Sequence, residues 1–110
     1  MNFDSNDKYY EEKKRAEFAL YEVIDPELMV NIIDLGLVYD ITFPQENHIE
    51  VLMTLTSPHC PMGEAIQTGV RNALEKTFQD YKVGITLTFE PAWSYDCVTP
   101  EGMAELENRY

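Results

Sequence analysis

The sequence predicts an α+β fold: a two-layer α/β sandwich in the order α-β-β-α-β-α, with helices stacked on a three-stranded mixed sheet. Two patterns carry that prediction. Apolar residues recur at helical spacing in one stretch near the start and in another near the middle, and they alternate with a period of two in three further stretches. The connections supply a third observation. The first two alternating stretches are joined by a short turn, as an antiparallel hairpin requires, and the third follows a whole helix, as a right-handed crossover requires. The 110 residues are expected to form one domain, since a single hydrophobic core commonly organises about 100–150 residues.

The first helix is expected from about Ser5 to Glu22. Asp4 or Ser5 caps it, and Ala16, Ala19, Leu20 and Val23 form its apolar stripe. The charged run Glu11 to Arg15 reads as a solvated helical face. Asp25-Pro26 ends the helix, because proline drives the preceding residue out of the α region. Pro26 to Gly36 reads as an ordered loop, with Leu28, Met29, Ile32 and Ile33 too apolar to stay in water.

From Leu37 the period becomes two, with Leu37, Tyr39, Ile41 and Phe43 on one face and Val38, Asp40 and Thr42 on the other. Pro44 to Asn47 turns the chain into a second strand whose buried face is Ile49, Val51, Met53 and Leu55. Ser57-Pro58-His59-Cys60-Pro61 leads into a helix of about 17 residues with the stripe Met62, Ile66, Val70, Ala73 and Leu74. A third strand follows from Val83 to Glu90, stopped by Pro91. A last short helix opens at Pro100 under a Thr99 cap. One face of each strand is polar enough to need only partial cover.

Composition narrows the function. The net charge is −12, from 20 acidic side chains against 8 Lys and Arg, and such a surface repels phosphate backbones and anionic lipid heads. Nucleic acid and membrane surfaces are therefore not expected as partners. The first fifteen residues are polar, unlike a signal peptide, and no apolar run reaches the ~18 residues that span a bilayer. The expected setting is a reducing cytoplasm, where Cys60 and Cys97 remain thiols.

The sharpest local feature is Thr54 to Met62. Cys60 stands immediately before Pro61, the expected first residue of the central helix. Amides of a first helical turn lack intrahelical partners and the helix dipole adds positive charge there, which favours thiolate, the form that attacks disulfides and binds soft metals. A small capping or core cysteine fits the same position. His59 can hold a proton or simply turn the chain, and Thr56 and Ser57 can offer hydroxyls to the site or serve as turn residues. Asp25-Pro26-Glu27 sets two carboxylates at a rigid bend, able to hold a metal or orient a partner group, or merely to end a helix. Trp93 either covers a pocket near Cys60 or packs. A stable iron–sulfur cluster usually takes four cysteines, and this chain has two. No GxGxxG, Walker loop, HExxH or GxSxG occurs.

Four blocks stand in order: Val23-Ile24-Asp25-Pro26-Glu27-Leu28, Asn31 to Tyr39, Met53 to Met62, and Phe89-Glu90-Pro91-Ala92-Trp93. Together they resemble the SufT- and PaaD-like iron–sulfur cluster assembly family over about Glu22 to Leu106. The resemblance implies a fold like other iron–sulfur assembly domains and a role in maturing iron–sulfur proteins, with the SUF pathway as its setting in a bacterium. It puts the family's reactive cysteine on Cys60, with Asp25, Glu27, Thr56 and Ser57 gathered around it. It implies SUF assembly proteins and iron–sulfur client proteins as partners, while the count of two cysteines favours iron or a labile cluster held transiently at Cys60 over a permanently bound cofactor. Cys97 falls in none of the blocks, and Ala92 stands where a second proline is frequent.

Three functions compete: an assembly or transfer factor acting through Cys60, a non-catalytic adaptor, and a thiol enzyme, which the absence of CxxC disfavours. A maturation factor for a phenylacetate ring-oxygenase system is a variant of the first. An exposed strand edge and the family resemblance add the expectation of a homodimer.

Overall fold

Ile49, Val51 and Met53 are fully buried, while Glu50 and Leu52, which alternate with them, face outward. They belong to the central strand of the sheet in a computed structural model that describes residues 3–56 and 63–107. The strands are β1 (Val38–Gln45), β2 (His48–Met53) and β3 (Lys82–Leu87), and the helices are α1 (Tyr10–Leu20), α2 (Gly63–Thr77) and α3 (Pro100–Glu107). A short 3-10 turn at Tyr95–Cys97 precedes α3. The sheet order is β1-β2-β3, with β1 antiparallel and β3 parallel to β2. The predicted mixed sheet and element order are present.

Where the boundaries differ, local physics explains it. The first helix starts at Tyr10, not near Ser5. The Asp4 carboxylate accepts from the Asn6 amide, and the Asp7 carboxylate from the Tyr9 amide at 2.7 Å. Such side-chain turns compete with helical hydrogen bonding. At its other end α1 stops at Leu20, and Tyr21, Glu22 and Val23 continue it by bonds to residues three positions back. β3 ends at Leu87 because its partner ends at Met53; the last bond between them runs from the Thr88 amide to the Met53 carbonyl at 2.9 Å. In β1 the alternation breaks between Val38 and Asp40, where two steps along β1 match one along β2. That bulge buries both Leu37 and Val38 and leaves Tyr39 at the rim.

The core lies between the sheet and one helical layer. Ala16, Ala19 and Leu20 of α1 and Ile66, Val70, Ala73 and Leu74 of α2 are buried, as their spacing predicts. Phe43 stacks on Tyr9 at 5.0 Å between ring centres and meets Phe78 edge-on, which closes the end of the core near the hairpin turn. The opposite face of the sheet is open, and Asp40, Thr42, Glu50 and Thr86 line a shallow depression on it. Among the described residues no helix is long and apolar enough to cross a membrane.

Candidate functional site

A ladder of backbone bonds brings three loop segments to the end of β2. The Ile32 amide donates to the Val23 carbonyl at 3.0 Å, the Leu37 amide to the Ile32 carbonyl at 3.0 Å, and the Thr54 amide to the Leu37 carbonyl at 2.8 Å. The loop predicted from Pro26 to Gly36 is therefore ordered, with Val30, Ile32 and Leu35 fully buried. Thr54 is also fully buried, and Leu55 beside it packs into the core. Leu55 touches the first turn of α2: a methyl group built on Gly63 would lie 2.8 Å from a Leu55 methyl carbon. Leu55 and Gly63 flank the predicted cysteine segment and meet each other. Ser57, His59, Cys60 and Pro61 themselves lie outside the described residues, and Thr56, half-buried, is the last described residue before them.

Asp25 is the most constrained polar group of this region. It is 0% exposed, although it carries a carboxylate. Its Oδ1 accepts from the Glu27 amide at 2.8 Å and the Leu28 amide at 3.0 Å, an Asx turn that rigidifies the bend at Pro26. Its backbone closes the same loop: the amide donates to the Val30 carbonyl at 3.0 Å, and the carbonyl accepts from the Met29 amide at 2.7 Å. The other carboxylate oxygen, Oδ2, is buried and has no hydrogen-bond partner among the described residues. A buried polar atom left unmatched costs about 1–3 kcal/mol, more when charged, so the arrangement persists only if the rest of the loop enforces it. Glu27, by contrast, presents an exposed side chain.

The turn sits against the central helix. Val23 and Ile24 share a cleft of about 300 Å³ with Ala65, Gly69 and Ala73 of α2. A methyl group built on Gly69 would lie 3.1 Å from Val23, so glycine there lets α2 approach the chain just before Asp25. The two residues just before Asp25 thus lie against α2.

A second cluster forms where the chain after β3 returns over the same ladder. The Trp93 indole donates to the Leu35 carbonyl at 2.6 Å, and the Tyr39 hydroxyl donates to the Pro91 carbonyl at 2.7 Å. Cys97, a half-buried free thiol, lies over Gly36, whose φ of +76° and lack of a side chain admit the Cys97 carbonyl. Burial raises the Tyr39 phenol above its ordinary pKa, the nearby Cys97 adds to that, and a hydrogen bond with the Thr54 side chain opposes it. Trp93 therefore packs the returning chain onto Leu35. The sequence reading missed the part played by Tyr39. Its signal is a tyrosine at a position where the strand alternation fails.

Asp34 completes the frame. Its carboxylate accepts from the Asn31 side-chain amide at 2.8 Å and from the Thr99 hydroxyl at 3.0 Å, and its carbonyl accepts from the Thr99 amide at 2.8 Å. Thr99 in turn caps α3 through a bond from the Gly102 amide at 3.1 Å.

The donor set bears on iron. Among the described residues no three His, Cys, Asp or Glu side chains converge on a metal position. Asp25 Oδ2 offers one buried oxygen donor, and Cys97 one sulfur on the other side of the ladder.

Comparison with known proteins agrees with this frame. Residues 13–87 match the family described as iron–sulfur cluster assembly protein. An Fe-S protein maturation auxiliary factor of Porphyromonas gingivalis is 38% identical over 92% of this chain and 96% of its own length. The Fe-S protein maturation auxiliary factor SufT of Staphylococcus aureus is 38% identical over 70% of this chain and 88% of its own. The crystal structure of a domain of unknown function from Bacillus anthracis superposes with a TM-score of 0.82 at 32% identity, covering 86% of this chain and 91% of that one. The chain belongs to the iron–sulfur cluster assembly protein family.

Proposed function

We propose that this chain is an auxiliary factor in the assembly of iron–sulfur clusters or their transfer to client proteins, within the SUF pathway and in a reducing cytoplasm, and that Cys60 is its working group. The observation that carries the reading is Asp25: a fully buried carboxylate with one oxygen unpaired among the described residues, directly after a stretch packed on α2, in a member of this family. A thiol becomes a ligand by losing its proton. The Cys60 sulfur then donates an electron pair to iron, and the proton passes to a nearby base or to water. Asp25 Oδ2 is the base or hydrogen-bond acceptor this reading assigns. Glu27, Thr56 and Ser57 complete the polar surroundings. Iron or a labile cluster is the cargo, held by Cys60 for the time of a transfer.

Partners in this reading are SUF assembly proteins and iron–sulfur clients. The reading includes a homodimer, supported by the outer edge of β3, which pairs with no strand among the described residues; sedimentation tests it directly.

Replacing Cys60 by serine is the decisive experiment. In cells lacking the wild-type chain, the variant is expected to leave iron–sulfur client enzymes inactive, and anaerobic purification should recover less iron and sulfide with the variant than with wild type. Full client activity in the Cys60→Ser background overturns the proposal.

A further inference from the structure

Away from Asp25 Oδ2 and the ladder, the chain builds an apolar groove. Leu28, from the turn that Asp25 caps, faces Tyr95, Met103 and Leu106 across a cavity of about 350 Å³, with Glu107 at its end. Tyr95 is 60% exposed and Met29, next to Leu28, is 54% exposed. Large apolar side chains clustered at a surface mark interaction sites, and tyrosine and methionine are over-represented there.

Charge says what kind of partner fits. The two segments that build the groove, residues 24–36 and 90–107, contain no Lys, Arg or His, and they hold Asp25, Glu27, Asp34, Glu90, Asp96, Glu101, Glu105 and Glu107. Of the eight Lys and Arg, seven are elsewhere: Lys8, Lys13, Lys14 and Arg15 on or just before α1, and Arg71, Lys76 and Lys82 on α2 and β3; the eighth, Arg109, lies outside the described residues. Among the described residues the two segments at the groove carry a single sign of charge around an apolar floor. Such a surface repels a second copy presenting the same end, as well as any polyanion, and it attracts cations.

We propose that this groove is the docking site for a cationic amphipathic segment of a partner protein. Its apolar side chains enter between Leu28, Tyr95, Met103 and Leu106, and its lysines or arginines meet Asp96, Glu107 and the neighbouring acids. Helix-in-groove recognition has this form, with spaced apolar anchors and a charged outer face. The site does not depend on the chemistry of Cys60. It places a docked partner next to the Asp25 turn, because Leu28 donates its amide to the Asp25 carboxylate at 3.0 Å.

The full chain can be titrated by calorimetry with a fourteen-residue peptide of leucine and lysine in amphipathic helical order. Two control peptides replace leucine by serine or lysine by glutamate. Trp93 is the sole tryptophan and lies 5.2 Å from the Tyr95 ring, so its emission reports where binding occurs. The leucine–lysine peptide is expected to bind saturably, to shift Trp93 emission, and to weaken at least tenfold in 0.5 M salt. Tyr95→Ala and Met103→Ser should each weaken it at least fivefold, whereas Glu50→Gln on the open sheet face leaves it within twofold. If Met103→Ser melts early, Tyr95→Ala decides, since that side chain is mostly exposed. Equal binding of the serine–lysine peptide, wild-type affinity in the Tyr95 variant, or no binding at all overturns the proposal. So does a self-association that Tyr95→Ala abolishes, which would make a second copy the occupant. So does a chain ending at Glu107 that binds at least tenfold more tightly than the full one, which would make the last three residues the occupant. Client maturation with Cys60 intact is a separate readout, so failure here leaves the reading of Cys60 standing.

Discussion

Asp25 and Asp34 stand nine positions apart in one loop, yet the fold uses them in opposite ways. Asp34 engages both carboxylate oxygens and its carbonyl, with Asn31 on one side and Thr99 on the other. Those bonds join the loop to α3. Asp25 engages one oxygen in its own turn and keeps the other buried and, among the described residues, unpaired. A half-buried carboxylate with both oxygens satisfied is a structural clamp. A buried one with an unmatched oxygen is held in a state that stability alone does not favour, as groups at functional sites often are.

Substituting Asp25→Asn gives the largest expected effect. Asparagine keeps an oxygen for the Glu27 and Leu28 amides and removes a buried charge, so stability should change by less than about 1 kcal/mol. Client maturation should nevertheless fall at least tenfold, read as activity of an iron–sulfur enzyme in complemented cells. Wild-type maturation in this variant would reduce Asp25 to a turn former like any other and erase the contrast with Asp34.

Asp34→Ala sharpens the other side. It removes the bonds to Asn31 and Thr99, and at roughly 1 kcal/mol for each net bond the cost is about 2 kcal/mol. Denaturant melts should show that loss. Maturation per folded molecule should stay close to wild type, and a selective loss of activity without loss of stability would contradict the clamp.

The smallest effect concerns Tyr39. Its pKa is raised in the folded state, chiefly by burial and then by Cys97, so folding favours the protonated phenol. The associated stability is fully present below the ordinary tyrosine value of about 10 and is lost as pH rises from there through the folded pKa. Ionisation also removes the proton that Tyr39 donates to Pro91. Melting at successive alkaline pH values should show wild type losing stability above pH 10 more steeply than Tyr39→Phe.

Much of this was legible in the sequence. The spacing of Ile66, Val70, Ala73 and Leu74 fixed the buried face of α2, and the alternation Ile49, Val51, Met53 fixed that of β2. The Thr99-Pro100 cap is where local chemistry puts it, because a cap depends on adjacent residues only. The site was legible as candidates. Asp25-Pro26 reads as a helix end, and nothing local says that one carboxylate oxygen is sealed from water without a partner.

The one-dimensional pattern thus determined which residues turn inward, since that depends on periods of two and 3.6 along the backbone. Only the tertiary structure decided which ends meet. Val23, Ile32, Leu37 and Thr54 form one ladder. Trp93, Cys97 and Thr99 fold back from more than fifty positions away onto the loop from Asp34 to Gly36. Long-range pairing also decided the helix and strand ends, because a strand lasts only as long as its neighbour and a turn holds where a side chain outcompetes the helix.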